Sequence, residues 1–150
     1  MLVELGFLLP VFTALLLAVL DVGMGYYYAL EVSNAAKAGA QYGYQSSATM
    51  MDSTGIQNTA KNDGYDITHS SGGNGSATWK SGYPTSTWGC MCPDGSHKTP
   101  LCGTTLSCSS GQQVNYVDVQ TQATYTPLIP WPGIPSSVTL KGETILWAGQ

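Results

Sequence analysis

The amino-terminal stretch MLVELGFLLPVFTALLLAVLDVGMGYYYAL, residues 1–30, is almost entirely apolar. It carries one carboxylate near its start, Glu4, and then no charged side chain until Asp21. A membrane-spanning helix needs about 20 consecutive, mostly apolar residues, and residues 5–24 supply them. No basic segment precedes this run and no small-residue cleavage site closes it, which favours a retained helix over a cleaved signal peptide. Because the helical pattern continues beyond the run, the sequence predicts one helix over Leu2–Tyr44.

The second half of this predicted helix carries a row of small side chains. Its members are Gly25, Ala29, Ser33, Ala35, Ala36, Gly39, Ala40 and Gly43. Such a row allows the backbone of a second element to approach closely. The face could pack on the chain's own globular part or on another subunit, and the sequence leaves both interpretations open.

Residues 46–150 are more polar and are predicted to form a small head that follows the helix, which we assign to residues 1–45. A short helix is expected over residues 53–61, with Ser53 or Thr54 as its cap. Residues 65–80 are expected to form a short hairpin or two edge strands on either side of a Gly-rich turn.

The clearest strand signal lies in residues 113–148, where apolar and polar side chains alternate in two segments. One face of the first segment would consist of Val117, Val119, Thr121, Ala123 and Tyr125. Prolines between the segments cannot join a strand ladder, so two long antiparallel strands joined by a stiff loop are expected. The predicted fold class is therefore α+β: a long apolar helix followed by an antiparallel, β-rich head.

Four cysteines, at positions 90, 92, 102 and 108, fall within the loop formed by residues 89–110. An extracellular head would oxidise them to two disulfides. A bridge between Cys90 and Cys92 would be strained, which leaves two pairings. We expect the nested one, Cys90–Cys108 with Cys92–Cys102, and the crossed one stays open. The spacing does not match that of zinc knuckles.

Composition excludes several classes of function. Charged residues make up 9% of the chain, against about 25% in typical soluble proteins. There is no Arg, and the five Lys occur singly, so the clustered basic residues that nucleic-acid binding requires are missing. The two histidines, His69 and His97, lie in polar segments without a catalytic or metal-binding pattern. We therefore expect no enzymatic activity, no cofactor, no metal and no nucleic-acid partner.

The N-terminal stretch also carries an ordered set of short motifs. They are Val3-Glu4-Leu5, Leu9-Pro10, Asp21-Val22-Gly23, Tyr26-Tyr27-Tyr28, Asn34-Ala35-Ala36 and Gly39-Ala40. In order and spacing this set resembles the TadE-like family of pilins and pseudopilins from bacterial tight-adherence pili, which are related to type IV pili. The chain departs from the family at Met24, where Arg is common.

The resemblance implies a pilin subunit that is held in the inner membrane by its helix. An ATP-driven assembly machinery of the inner membrane would then extract it and polymerise it, with identical subunits, into an extracellular filament for surface attachment. The residues expected to serve assembly are Glu4, Pro10, Asp21, Gly25, Ala29, Ser33, Ala36, Gly39 and Ala40. The alternatives are a minor pseudopilin that primes assembly and a membrane-anchored binding module, whose contact surface could include Trp79, Trp88 and Trp131.

Glu4 and Pro10 are the two unusual residues of the apolar run. A carboxylate in the first turn is favoured by the helix dipole, but in a helix bundle a lone buried charge would cost several kcal/mol unless paired. No Lys occurs before Lys37, so the nearest cation is the α-amino group of Met1, and pairing between staggered neighbours would fix their register. Pro10 removes one backbone N–H and leaves the carbonyl of Gly6 without its helical partner, so a bend or a looser segment is expected there.

Overall fold

The computed structural model describes residues 2–100, 102, 108–109, 112–130 and 132–148; for residues 2–5, 7 and 148 only the backbone is described. A long helix precedes three short helices and an antiparallel sheet, which confirms the predicted α+β class and its pilin-like arrangement. The helices are α1 (Leu2–Tyr44), α2 (Ser47–Met51), α3 (Ser53–Asp63) and α4 (Tyr65–Thr68). The strands are β1 (Ser76–Trp79), β2 (Thr85–Met91), β3 (Val114–Thr126) and β4 (Val138–Ala148).

Helix α1 has the bounds that the sequence predicts and continues through Pro10. Three residues after Pro10, the Thr13 hydroxyl donates a hydrogen bond to the Leu9 carbonyl at 2.8 Å. The chain leaves α1 through a tight connection, in which Ser46 caps α2. The Ser46 Oγ accepts from the Thr49 N–H at 3.2 Å, and the Thr49 Oγ1 accepts from the Ser46 N–H at 2.9 Å. This reciprocal pair is a capping box, which satisfies two backbone donors at once.

The predicted second helix exists as α3, but its cap and its end differ from the prediction. Asp52 is the N-cap, and its Oδ1 accepts from the Gly55 N–H at 2.8 Å. The expectation that Ser53 or Thr54 caps the helix was therefore wrong, because both already belong to its first turn. The helix runs on to Asp63 and ends at Gly64.

Residues 65–68 form the short helix α4, so the expected strand at this position was wrong. The reason is a tertiary contact. Glu31 of α1 accepts the Asp66 N–H at 2.8 Å through its Oε1, which satisfies a backbone donor of the first turn of α4. The Tyr27 hydroxyl donates to the Asp66 carboxylate at 2.6 Å, and Ile67 turns into the core with 2% exposure.

Strand β3 is the centre of the sheet. Strand β4 runs antiparallel along one edge of β3, with Asn115 opposite Ala148 and Tyr125 opposite Val138. Strands β1 and β2 lie end to end along the other edge, where β1 pairs with residues 123–126 and β2 with residues 114–120. The predicted pair of long strands is confirmed. β1 and β2 both pair with β3, so the expected hairpin within residues 65–80 is wrong. Of the alternative, two edge strands in this segment, only the second exists, as β1.

The core lies between one face of the sheet and helices α1 and α3. The side chains predicted to share this face, at the odd positions 117–125 of β3, are all buried, which confirms the alternation. Two clusters fill this layer, one around Val32 and Tyr125 and the other around Ile56 and Val117. On the opposite face, Met91, Val114 and Tyr116 form a third, smaller cluster.

The two disulfides join Cys90 to Cys102 and Cys92 to Cys108, so the crossed pairing holds and the nested expectation was wrong. The backbone shows why. The chain turns back after Cys92 and pairs with β2 again at Thr99, which exchanges two hydrogen bonds of 2.9 and 2.8 Å with Cys90. Because Thr99 lies directly opposite Cys90, Cys102 is brought to Cys90, and Cys108 is left for Cys92.

Candidate assembly surface and its anchor in the head

Residues 8–20 of α1 form an exposed apolar segment, which we call the rod. Eight of its large side chains are between 49% and 71% exposed, and Leu17 is half-buried. The eight are Leu8, Leu9, Val11, Phe12, Leu15, Leu16, Val19 and Leu20. Within the described residues, α1 is the one helix long and apolar enough to cross a membrane. Since a monomeric soluble protein rarely exposes a continuous apolar surface of this size, the rod is the part of the chain that requires a partner or a membrane.

Asp21 marks the boundary between the rod and the head. It is only 5% exposed. Its Oδ1 accepts the Tyr125 hydroxyl at 2.6 Å and the Leu128 N–H at 2.9 Å. Burial, together with this hydrogen bond and the negative charge of Asp21, raises the pKa of the Tyr125 phenol far above its usual value, so Tyr125 remains a donor. The first charge after the rod therefore fastens α1 to the end of β3.

The row of small residues packs largely on the chain's own head. A Cβ added at Gly25 would lie 3.3 Å from the Tyr125 ring, and one at Gly39 would lie 3.2 Å from both Ala60 and Val119. Ala36 and Ala40 are fully buried. Ala29 and Ser33 are half-buried. Of the two interpretations that the sequence left open, the intramolecular one describes Gly25, Ala36, Gly39 and Ala40 in this structure.

A close approach between α1 and β4 was not anticipated from the sequence. At Gly142 an added Cβ would lie 2.7 Å from the Val32 carbonyl oxygen and 2.9 Å from Ser33 Cα, both of them backbone atoms of α1. The Thr121 hydroxyl donates to the same Val32 carbonyl at 2.8 Å. A glycine in the middle of a predicted strand was the available signal, because such a glycine often marks the close approach of another backbone.

The other predicted assembly residues lie in or before the rod. Pro10 is exposed, within the continuous helix. The side chain of Glu4 lies outside the described residues, so its role as a register-setting group stays a prediction.

The three tryptophans proposed as surface contacts occupy different places. Trp79 is half-buried against the cluster around Val32, and its Nε1 donates to the Thr68 hydroxyl at 2.9 Å. Trp88 is half-buried against the cluster around Ile56. Trp131 lies outside the described residues. A fourth tryptophan, Trp147 of β4, is 52% exposed and was not singled out from the sequence.

The outer face of the sheet holds a buried carboxylate. Asp118 is 8% exposed. Its Oδ2 lies 3.9 Å from Lys98 Nζ, whereas its Oδ1 accepts no hydrogen bond from the described residues. Burial, and secondarily the charge of Glu143, raise the pKa of Asp118, and Lys98 opposes them. The same Lys98 ammonium lies 5.7 Å from the centre of the Tyr116 ring.

Comparison with known proteins gives one match. Residues 1–41 match the family model described as TadE-like protein, which confirms the resemblance that the N-terminal motifs carry. The match covers the rod, Asp21 and most of the row of small residues, and it ends before α2. No curated protein and no solved structure matches the chain.

Proposed function

We propose that this chain, whose TadE-like N-terminal segment indicates a pilus-related protein, is a structural pilin subunit that polymerises through α1 into an extracellular filament. One observation carries the proposal: the rod is uncharged and exposed, while the remainder of the same helix is fixed in the head. A helix that served only to complete the head would not extend beyond it with its largest apolar side chains uncovered.

The physical argument concerns what covers the rod. Fully burying a Leu or Phe side chain contributes roughly 1.5–3 kcal/mol relative to leaving it in water, so the exposed rod is incompatible with a free monomer in water. A bilayer covers it before assembly. In the filament the rods of identical subunits cover one another, and the β-rich heads form the coat. Lipid tails are as apolar as leucine, so transfer from lipid to bundle has little driving force of its own. The transfer is therefore assigned to an assembly machinery in the inner membrane.

Glu4 sets the register of this bundle. Within a dry core the carboxylate is tolerated only where a neighbouring subunit provides a positive group. A wrong stagger would leave the charge unpaired and would cost several kcal/mol. This penalty supplies a specificity that the apolar side chains of the rod cannot supply.

The test of the function replaces residues 1–20 with an unrelated spanning segment of equal length and scores surface filaments by electron microscopy. A pilin loses its filaments, although the chain still inserts and the head still folds. A binding module that uses the helix only as a tether keeps its attachment activity after the exchange, and that result would contradict the proposal.

Glu4 is tested separately in the complete chain. Glu4→Gln and Glu4→Ala are each expected to reduce filament yield strongly, and the glutamine variant has nearly the same size as the wild type. Thr13→Val serves as the matched control, because it changes an exposed polar group of the rod without changing charge. Normal yield from both Glu4 variants would remove the register-setting role and leave the helix-bundle proposal in place.

A further inference from the structure

We infer that a groove at the foot of the head receives the rod of a second copy of this chain; this inference rests on the proposed function and specifies its contact. The groove, which we call the foot groove, has a volume of about 400 Å³. One wall belongs to α1 and the other to the end of β3, the Pro-rich loop and the start of β4. Among its lining residues are Ala18, Val22, Tyr125, Pro127, Ile134 and Val138.

The foot groove is apolar and open. Val22 is 71% exposed, Ile134 52% and Val138 38%. The ionisable side chains in its described lining are Asp21 and Tyr125, and they are hydrogen-bonded to each other. An occupant with a charged surface would leave its charge unpaired there, so the groove selects an uncharged, apolar partner.

The Pro-rich wall adds a second reason for an apolar partner. Pro127 and Pro132 line the groove. Proline has no backbone N–H. Covering this wall with an apolar partner therefore leaves no hydrogen-bond donor unsatisfied at either proline. Ile134 and Val138 place branched side chains at the same wall. The surface can therefore be covered by aliphatic side chains at little polar cost.

The occupant is the rod because the foot groove is continuous with the rod's own exposed flank. Ala18 belongs to the rod, and Val22 follows it by one helical turn on α1. A helix from a second copy that lies along α1 at this point would contact both the rod and the foot groove of the first copy. The small side chain of Ala18 allows such a helix to approach closely. The chain itself supplies a fitting helix, since residues 5–20 carry no charge.

The first experiment places a charge in the foot groove of the complete chain. Ile134→Glu and Val138→Glu alter exposed positions, so the head is expected to fold and to keep both disulfides. Filament yield should fall at least about tenfold in each, because the carboxylate would be covered without a partner. Met51→Glu is the matched control: Met51 is 60% exposed but belongs to α2, which follows the C-terminal end of α1, and it does not line the groove. Filament yield from this variant should stay at the wild-type level. Wild-type yield from both groove variants would overturn the inference.

The second experiment identifies the occupant directly. A photoreactive benzophenone amino acid replaces Ile134, and cells that display filaments are irradiated. We expect a covalent dimer in which the foot groove is joined to the tryptic fragment that ends at Lys37, the first basic residue of the chain. Adducts with lipid alone, or dimers joined through the head, would overturn the inference.

Different results would overturn the proposed function and the foot-groove contact. Absence of filaments from cells that carry the wild-type chain and its assembly machinery overturns the proposed function, and the foot-groove contact with it. Filaments whose subunits give no dimer through the fragment ending at Lys37 overturn the foot-groove contact alone.

Discussion

Asp21 joins two parts of the chain that lie 104 residues apart, and it does so with one buried carboxylate oxygen. Tyr125 donates to it from the end of β3, and Leu128 donates to it from the loop that follows. Hydrogen bonds to a charged group contribute more than neutral ones, and a buried donor left without an acceptor costs free energy. Asp21 is therefore expected to determine how firmly the head is held on α1.

Substitution of Asp21 should weaken the contact between α1 and the end of β3. Asp21→Ala should lower the free energy of unfolding of the head by about 1–3 kcal/mol. The partly buried Leu128 N–H loses its acceptor, and the buried Tyr125 hydroxyl keeps only the backbone carbonyl of residue 21, at 3.1 Å. Tyr125→Phe, the matched control, removes one donor and leaves the Leu128 contact, so its effect should be smaller. Urea unfolding of the complete chain in detergent micelles, followed by tryptophan fluorescence, measures both. Equal stability of the wild type and Asp21→Ala would show that the contact does not hold the head.

Asp118 gives a prediction about pH. Its raised pKa means that the folded chain binds this proton more tightly than the unfolded chain does, where the ordinary value of 3.8 applies. Stability is therefore lost as pH rises from 3.8 towards the folded-state pKa, and the loss is complete above it. Asp118→Asn removes this loss, so the variant should be more stable at neutral pH by on the order of 1 kcal/mol.

The measurement is the thermal midpoint of both proteins between about pH 3 and about pH 7. The advantage of Asp118→Asn should shrink as the pH falls and should vanish well below 3.8, where the wild-type carboxyl is protonated in both states. Glu143→Gln removes the neighbouring charge that contributes to the raised pKa, so it should weaken the pH dependence without abolishing it. Parallel pH profiles for the wild type and Asp118→Asn would contradict the assignment.

At the scale of elements, the contact between α1 and β4 depends on Gly142. An alanine there would bring its Cβ within 2.7 Å of the Val32 carbonyl oxygen, and neither backbone can move without disturbing helix or sheet. Gly142→Ala should therefore destabilise the head by about 1–3 kcal/mol. Gly23→Ala is the control, since an added Cβ there meets nothing within 4 Å and alanine is favoured in a helix by roughly 0.5–1 kcal/mol. Chemical unfolding of both variants should give shifts of opposite sign, and shifts of the same sign and size would refute this account.

The helices and strands differ in how well the sequence predicts them. The bounds of α1 follow from its apolar run and small residues, and β3 and β4 follow from alternation, because both signals are local. Helix α4 could not be predicted, since Glu31, which accepts its Asp66 N–H, lies 35 residues earlier. Strand β2 was missed because its buried positions do not alternate: Gly89, Cys90 and Met91 are buried consecutively.

Only part of the candidate site could be predicted from the sequence, because its contacts join residues that lie far apart in the chain. The uncharged rod and the isolated charge of Asp21 are visible in the sequence, but the partners of Asp21 are not. Gly25 and Gly39 were recognised as close-contact positions, although the sequence could not say that Tyr125 and Val119 fill the space beside them. The disulfide pairing required the hydrogen bonds between Cys90 and Thr99, which no spacing rule contains.

At the scale of the whole molecule, the rod and the head should respond independently to substitution. Phe12 is 69% exposed, so Phe12→Glu should change the unfolding free energy of the head by less than about 0.5 kcal/mol while it abolishes filaments. Ile56 is fully buried in the head, and Ile56→Ala should destabilise it by about 2–5 kcal/mol. Thermal unfolding and filament counts on both variants test the separation. A Phe12→Glu chain with normal filaments would contradict the role given to the rod.

The anchoring of α1 also has a mechanical consequence. Asp21 is held by the head one residue beyond the rod, and Val32, Gly39 and Gly142 clamp the helix farther along. The helix is continuous between these contacts. Rotation of the rod about the axis of α1 therefore rotates the head through the same angle. In any array built on these helices, their azimuth would dictate the pattern of the outer surface. A small change in the packing of neighbouring rods would then be visible as a rotation of every head.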